Sequence, residues 1–169
     1  MDTVINQWNK SADRYSEFES TSRFSIYCRE FVSSHFKNIQ GLKVLDAGCG
    51  NGVFTHILSQ NGGTVIGCDG SVEMLKIARA NYPKYQFDEV DLLNGIPYKD
   101  MEFDLVFCNL VLMDIDPIDK IITEFNRILK IDGIFFFSII HPAFYHAEWE
   151  RNEQGVVVGK KLTGYIQCH

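Results

Sequence analysis

The chain has 169 residues, of which 46% are hydrophobic and 22% charged, and its formal net charge is -6. This length predicts one domain over residues 1–169, and this composition is typical of a soluble globular protein. The acidic balance, with no cluster of Lys and Arg, argues against a nucleic acid or an anionic membrane as the main partner.

The N-terminus and the cysteines indicate a cytoplasmic protein. Residues 1–8 lack the basic segment and apolar core of a signal peptide, and the longest apolar run, near residues 134–140, is too short to span a bilayer. The five cysteines are widely spaced, with no CxxC pair. Such scattered cysteines predict reduced thiols. No group of Asp and His has metal-ligand spacing, so we expect no metal.

Two helices are predicted at the N-terminus, over residues 2–18 and 22–37. In the first helix, apolar side chains recur at steps of three and four residues: Ile5, Trp8, Ala12, Tyr15 and Phe18. We expect Trp8, Tyr15 and Phe18 to face inward.

From residue 41 onward, short strands alternate with helices. Ser71 is a good N-cap for one of these helices, and Pro83 follows it as a stop signal. The predicted strands are 43–46, 64–69, 85–90, 103–108 and 134–140, and the helices are 53–60, 72–81 and 117–130. This alternation predicts an α/β fold, a doubly wound, mostly parallel sheet with helices on both faces, over a core at 41–142.

The segment after the fifth strand, residues 143–169, does not continue the alternation of strands and helices. Residues 156–158 and 162–166 are apolar enough to form a small hairpin. We interpret this segment as an extension after strand five.

The most informative motif is residues 44–52, Val-Leu-Asp-Ala-Gly-Cys-Gly-Asn-Gly. A strand ends near Asp46 and turns through three glycines into a helix, an arrangement that holds nucleotide-type ligands at the carboxyl edge of a parallel sheet. A dinucleotide fingerprint needs a further glycine where this chain has Val53, and Asp46 would repel a pyrophosphate. The loop therefore favours a ligand that is cationic near this point, such as S-adenosylmethionine (SAM).

This motif resembles the first motif of the class I SAM-dependent methyltransferases, and the resemblance extends over roughly residues 8–142. It implies a Rossmann-like fold, SAM as cofactor, S-adenosylhomocysteine as product and a small-molecule methyl acceptor. It also implies that residues 1–38 form a lid. The family normally adds a helix and an antiparallel hairpin after strand five, so we expect a chain that lacks the C-terminal strands and is truncated.

The resemblance and the chemistry of SAM together nominate residues for its ribose and adenine. Asp69 ends the second strand and, followed by Gly70, is placed to accept hydrogen bonds from both ribose hydroxyls. Asp91 could accept from the adenine amine, with Asp88 or Glu89 as alternatives because strand ends are uncertain. The backbone N–H of Leu92 could donate to the ring, and the side chains of Met74 and Leu92 could form an apolar wall.

The methionine part of SAM needs partners for an ammonium and a carboxylate. Asp46 and the backbone carbonyls of Gly48 and Asn109 could meet the ammonium, and Gly50 completes the loop. Tyr15 or Arg23 could cover the carboxylate.

Methyl transfer is an in-line displacement in which the protein mainly aligns the reactants and excludes water. A base helps only if the nucleophile arrives protonated. His141, immediately after strand five, is the best candidate for a catalytic base, and Tyr145 and His146 come next.

Two other functions stay open at this point. A nicotinamide-dependent oxidoreductase also has an acid at the end of strand two, although Val53 and Asp46 count against it. A SAM-binding fragment or partner-dependent, non-catalytic subunit is the second. Strand five would form an apolar sheet edge, which predicts a homodimer through that edge.

Overall fold

The computed structural model describes residues 3–141, 148–155 and 157–161. The chain divides between Ser138 and Ile139 into two units. The first unit contains the helices α1 (Val4–Thr21), α2 (Arg23–His35), α3 (Val53–Gln60), α4 (Val72–Asn81) and α5 (Ile118–Ile128). Its strands are β1 (Lys43–Ala47), β2 (Thr64–Asp69), β3 (Gln86–Glu89), β4 (Phe103–Asn109) and β5 (Leu129–Ser138). The second unit contains β6 (Glu148–Arg151) and β7 (Val157–Lys161).

The first unit is built on a parallel sheet with the strand order β3-β2-β1-β4-β5. The strand order reverses between β1 and β4, and ligands bind at the carboxyl edge of such a switch point. The predicted doubly wound α/β fold is therefore confirmed.

Alternation along the strands separates two apolar cores. On β1, Val44 packs into the core beside α2 and α3, while Leu45 packs into the core beside α5. On β4, Phe107 packs into the core beside α2 and α3, and Val106 packs into the core beside α5. Because successive side chains of a strand point to opposite faces, a strand buried on both sides needs consecutive apolar residues, as at residues 44–45 of β1 and residues 105–108 of β4.

The buried face of helix α1 differs from the predicted one at a single position, Phe18. Ala12 is buried, but Phe18 is 53% exposed and Glu19 is only 5% exposed. The steps 8, 12, 15, 19 stay on one face of a helix, whereas position 18 lies about 100° away from position 19. Glu19 is tolerated on the buried face because its carboxylate pairs with Arg29 of α2 at 3.3 Å. The inward placement of Phe18 was therefore wrong.

The bounds of α3, β2 and α4 agree with the prediction, but β5 begins earlier than predicted. Leu129 pairs with Phe103, and the regular register with β4 resumes at Ile134. Asp132 between them has a φ of +64°. The interval between the predicted helix 117–130 and the predicted strand 134–140 is therefore a break within a longer strand, which ends at Ser138 rather than at residue 140.

The second unit is an antiparallel hairpin of β6 and β7. The N–H of Gly155, with a φ of +76°, donates to the carbonyl of Asn152 at 2.9 Å and closes the turn. Residues 157–161 pair with the preceding segment. The predicted hairpin of residues 156–158 with residues 162–166 stays a prediction, because its second strand lies outside the described residues. Residues 162–169, like Tyr145, His146 and Val156, lie outside the described residues.

Candidate functional site

The glycine-rich loop joins β1 to α3 over Gly48–Gly52 and is fixed by the end of β2. The N–H groups of Gly48 and Cys49 both donate to the carbonyl of Cys68, at 2.8 and 2.9 Å. Gly48, Gly50 and Gly52 have positive φ values of 74°, 52° and 83°. The loop therefore has a defined shape that side chains at these positions would strain.

The three glycines serve different purposes. A Cβ on Gly48 would collide with the side chain of Val111, and a Cβ on Gly52 would lie 2.8 Å from Phe87 Cζ. A Cβ on Gly50 would meet nothing within 4 Å. Gly48 and Gly52 therefore permit close packing of the protein itself, whereas Gly50 borders open space.

That open space is a cavity of about 340 Å³ at the carboxyl edge of the sheet. The cavity brings together nine of the ten residues predicted to bind the cofactor, with Asp46 as the exception. These nine are Tyr15, Gly48, Gly50, Asp69, Gly70, Met74, Asp91, Leu92 and Asn109.

Asp69, at the end of β2, is held from both sides by backbone. Its Oδ2 accepts from the N–H of Gly50 at 2.9 Å, and its Oδ1 accepts from the N–H of Ser71 at 2.7 Å. Burial raises the pKa of this carboxyl, and the backbone donors partly offset that rise. Because each carboxylate oxygen can accept two hydrogen bonds, both oxygens keep accepting capacity toward the cavity.

Asp46 lies beneath the loop and does not line the cavity. It is 1% exposed, and its Oδ2 accepts from the hydroxyl of Thr55 at 2.6 Å. Burial raises its pKa to about 7. This hydrogen bond joins the end of β1 to α3, across the loop that separates them.

The loop after β3 also lines the cavity. Asp91 accepts from the N–H of Leu93 at 3.0 Å and from the amide of Asn94 at 2.6 Å. Leu92 lines the cavity beside it, and Met74, almost fully buried on α4, forms part of the wall. The two alternative acids lie elsewhere: Asp88 accepts from the hydroxyl of Tyr98 at 2.9 Å, and Glu89 is exposed.

The end of β4 contributes a strained turn that the sequence did not reveal. Asn109 Oδ1 accepts from the hydroxyl of Ser138 at 2.7 Å. Leu110 follows with a φ of +58°, and its N–H donates to the carbonyl of Ser138 at 3.0 Å. A non-glycine residue in this conformation often marks a functional site. The turn directs further residues into the cavity, namely Val111, Asp114 and Ile115.

The helix α1 covers the cavity from the other side. The indole N–H of Trp8 donates to Asp114 Oδ2 at 3.2 Å, and the ring of Tyr15 meets Trp8 edge-on at 5.2 Å. Burial raises the pKa of Tyr15 to about 12. Asn9 Oδ1 accepts from the hydroxyl of Ser71 at 2.8 Å, which joins α1 to the N-cap of α4. Trp8 and Tyr15 thus lie on the predicted inward face.

Other residues considered from the sequence lie elsewhere. Arg23 is exposed on α2 and does not line the cavity. Cys49 and Cys108 are buried packing residues. His141 belongs to the second unit, and its role as a base stays a prediction. Within the part of the chain that the structure describes, no three His, Cys, Asp or Glu side chains form a metal-binding group, and no helix is long and apolar enough to cross a membrane.

Comparison with known proteins identifies a family. Residues 45–137, more than half of the chain, match the model of the "Methyltransferase domain" family. An uncharacterized methyltransferase of Synechocystis sp. is 38% identical over 103 residues, which are 60% of this chain and 48% of the relative. The malonyl-[acyl-carrier protein] O-methyltransferase of Erwinia billingiae is 29% identical over 150 residues, 87% of this chain and 58% of that protein. The chain thus spans about half the length of these curated relatives.

Solved structures show the same fold. An S-adenosylmethionine-dependent methyltransferase from Mesorhizobium loti superposes with a TM-score of 0.65 at 25% identity, covering 79% of this chain and 63% of that one. Magnesium protoporphyrin IX methyltransferase from Synechocystis, solved with bound SAM, gives a TM-score of 0.61 at 24% identity, with coverages of 72% and 67%. The segment that matches the family model runs from β1 to β5 and includes the whole glycine-rich loop. The chain belongs to the class I SAM-dependent methyltransferases.

Proposed function

We propose that the chain binds SAM in the cavity at the carboxyl edge of its sheet and transfers the methyl group to a small-molecule acceptor. The observation that carries this proposal is Asp69. Its carboxylate borders the cavity, fixed by the N–H groups of Gly50 and Ser71, next to a glycine that faces open space.

The Asp69 carboxylate is a suitable acceptor for a ribose. Two adjacent hydroxyls can donate to the two oxygens of one carboxylate, and each Asp69 oxygen has a position left after its backbone bond. The N–H bonds also prevent the carboxylate from rotating away. A hydroxyl donor would stabilise the charged form, which burial disfavours.

The rest of the cavity fits the other parts of SAM. Asp91 offers an acceptor for an exocyclic amine, and Met74 and Leu92 offer an apolar wall for a planar ring. Gly48 and Asn109 border the cavity at the switch point, where their backbone carbonyls would face an ammonium. We assign Asp46 a supporting role, because its bond to Thr55 holds the two ends of the loop together.

SAM supplies an electrophilic methyl group whose leaving thioether needs no acid. The chain then has to align the acceptor and exclude water. Trp8 and Tyr15 on α1 cover the cavity, and Val111 and Ile115 complete an apolar boundary. For a nucleophile that arrives protonated, we keep His141 as the candidate base.

A small acceptor suits the site. The cavity that would hold SAM has a volume of about 340 Å³, near the lower end of the usual range for small-molecule sites, so it leaves room only for a small acceptor group. Among the relatives, a ubiquinone biosynthesis O-methyltransferase agrees with a small acceptor, whereas the malonyl-[acyl-carrier protein] O-methyltransferase is named for an acceptor on a carrier protein. The family match disfavours the oxidoreductase alternative.

Calorimetry with SAM, S-adenosylhomocysteine and NAD tests this proposal. We expect both sulfur ligands, and not NAD, to bind the wild type. Asp69→Ala should weaken SAM binding by roughly 2 to 3 kcal/mol, because it removes charge-assisted hydrogen bonds. Asp69→Asn retains one acceptor oxygen for the backbone and loses the other, and denaturant unfolding of both variants shows how much of the lost affinity reflects loss of loop structure.

Glu89→Ala is the matched control, because Glu89 is exposed at the end of the neighbouring strand. Its affinity for SAM should equal that of the wild type. Unchanged SAM affinity in Asp69→Ala would refute the ribose assignment. Formation of S-adenosylhomocysteine with a metabolite library then distinguishes an enzyme from a non-catalytic SAM-binding subunit.

A further inference from the structure

The turn after β4 meets α1 at the cavity through the hydrogen bond from Trp8 to Asp114. Trp8 and Ile115 also line the cavity and are apolar neighbours of Asp114. The assignment of SAM given above leaves the carboxylate of Asp114 unused. A carboxylate at the edge of an apolar pocket calls for a binding partner, because an uncompensated charge there is costly.

Asp114 is held in a defined position. It ends a single 3₁₀ turn, Leu112–Asp114, and its N–H donates to the carbonyl of Val111 at 2.9 Å. Its Oδ2 accepts from the indole N–H of Trp8 at 3.2 Å, and Tyr15 holds the indole edge-on. Trp8 uses one of about four accepting positions of the carboxylate, so the group can still accept from a ligand in the cavity.

The charge of Asp114 restricts which ligand groups can bind directly beside it. Among the described residues that line the cavity, the charged side chains are all acidic, so none of them offsets the charge of Asp114: they are Asp69, Asp91 and Asp114 itself. Burial raises the pKa of Asp114, and the bond from Trp8 offsets that rise in part. A ligand that donates to Asp114 would stabilise its charged form, whereas a ligand carboxylate would be repelled.

Resting on the proposed function, we propose that Asp114, oriented by Trp8, binds the methyl acceptor and selects a small, mainly apolar molecule that presents a hydroxyl or an amine rather than a carboxylate. The two donor groups share one chemistry at this site, because each gives a hydrogen bond to a fixed carboxylate. The apolar side chains next to Asp114, Trp8 and Ile115, then contact the remainder of the molecule.

Three probes that share a phenyl ring and differ in their polar group test this proposal: benzyl alcohol, benzylamine and benzoate. Each is titrated into the protein loaded with S-adenosylhomocysteine and followed by ligand-observed NMR. We expect the alcohol or the amine to bind, and benzoate to bind at least about tenfold more weakly. Which of the two donors binds more tightly distinguishes a hydroxyl acceptor from an amine acceptor.

Variants then identify the residue responsible. Asp114→Asn should weaken benzylamine binding by roughly tenfold or more, because the charge-assisted hydrogen bond is lost. Trp8→Phe keeps an aromatic ring but removes the indole N–H, so it should give a smaller loss of benzylamine affinity. Asp119→Asn, which removes an exposed carboxylate on α5, is the matched charge control and should change nothing. Thermal melting verifies that each variant is folded.

Calorimetry with S-adenosylhomocysteine separates the two proposals. Its affinity should be within about twofold of the wild type in Asp114→Asn, because the proposed function assigns no part of the cofactor to this residue. A large loss would place Asp114 in the cofactor site and overturn the inference. Equal binding of benzoate, or no binding of either the alcohol or the amine, would also overturn it. A wild type that fails to bind S-adenosylhomocysteine would refute the proposed function itself.

Discussion

At the residue scale, neighbouring glycines of one loop have separate roles. Gly48 and Gly52 are required by protein neighbours, Val111 and Phe87, whereas Gly50 borders the cavity. A substitution at Gly48 would therefore disturb packing before it disturbed a ligand. A side chain added at Gly50 would meet a ligand in the cavity but would not collide with the protein.

We predict that Gly50→Ala lowers SAM affinity by tenfold or more, roughly the effect of losing one good contact. Gly41→Ala is the matched control, because Gly41 also has a positive φ, of 82°, and a Cβ there also meets nothing within 4 Å. Both variants should lose about 1 kcal/mol of stability from backbone strain. Calorimetry and denaturant unfolding measure the two effects, and equal SAM affinity in both variants would show that the ligand does not approach the loop.

Asp46 gives a prediction of its own, because burial raises its pKa from 3.8 to about 7. Between these values the unfolded chain releases a proton that the folded protein retains. The free energy of unfolding therefore falls as pH rises through this window, and it levels off above about pH 7. Asp46→Asn keeps an acceptor for Thr55 but removes the titration.

We predict that the wild type loses stability relative to Asp46→Asn between about pH 4 and pH 7, by up to an amount on the order of 4 kcal/mol. Denaturant unfolding of both proteins at several pH values measures this difference. A difference that does not vary with pH would contradict the buried, protonated carboxyl.

The sequence predicted those site residues that end parallel strands. Asp69 and Asn109 are the last residues of β2 and β4, Asp91 comes shortly after β3, and the carboxyl ends of such strands meet at one edge. Asp114 and Ile5 could not be found in this way, because they reach the cavity from a 3₁₀ turn and from α1 through tertiary packing. Asp46 could not be distinguished from a cavity residue, because strand position does not reveal depth.

At the element scale, α1 is the cover of the cavity. Three polar contacts join it to the elements around the cavity: Trp8 to Asp114, Asn9 to Ser71, and Ser16 to Asn51 at 3.3 Å. These contacts involve the turn after β4, the start of α4 and the glycine-rich loop. A ligand in the cavity would therefore contact both α1 and the elements to which α1 is attached.

We predict that amide hydrogen exchange in α1 slows when S-adenosylhomocysteine binds, because the ligand adds contacts that opening must break. Helix α5 is the internal control, since its apolar face packs against the sheet. Mass spectrometry of peptides from both helices measures the change. Equal exchange in α1 with and without ligand would rule out its role as a lid.

The element bounds were predictable where local signals agreed. Helix α4 has the N-cap Ser71, whose hydroxyl accepts from the N–H of Met74 at 3.2 Å, and Pro83 follows its end. The start of β5 was not predictable, because Leu129 pairs with Phe103 ahead of the break near Asp132. The partner of β7 depended on a turn at Gly155 that apolar patterning alone does not specify.

At the scale of the whole molecule, β5 lies at the edge of the five-stranded sheet that the structure describes. Ile134 is 56% exposed and Phe137 is 48% exposed. Phe136, in contrast, stacks on Phe107 with ring centroids 5.3 Å apart, so it belongs to the core. An exposed apolar edge strand is a template for pairing with another chain.

We therefore keep the prediction of a homodimer, or of aggregation, through β5 or the hairpin. Ile134→Lys should weaken association without injuring the core, which makes it a better test than Phe136→Lys. Ile122→Lys on α5 is the matched control for an exposed isoleucine. Light scattering over a range of concentrations measures association, and a wild type that remains monomeric at high concentration would contradict the prediction.

The central claim, that SAM binds in the cavity formed by the glycine-rich loop, Asp69 and Asp91, is tested most directly by NMR. Backbone amide signals of the labelled protein are followed during titration with S-adenosylhomocysteine. We predict that the largest shifts occur at Gly50, Gly70 and Leu92, and that NAD causes no comparable change. Shifts that are absent, or that cluster away from the carboxyl edge of the sheet, would contradict the account.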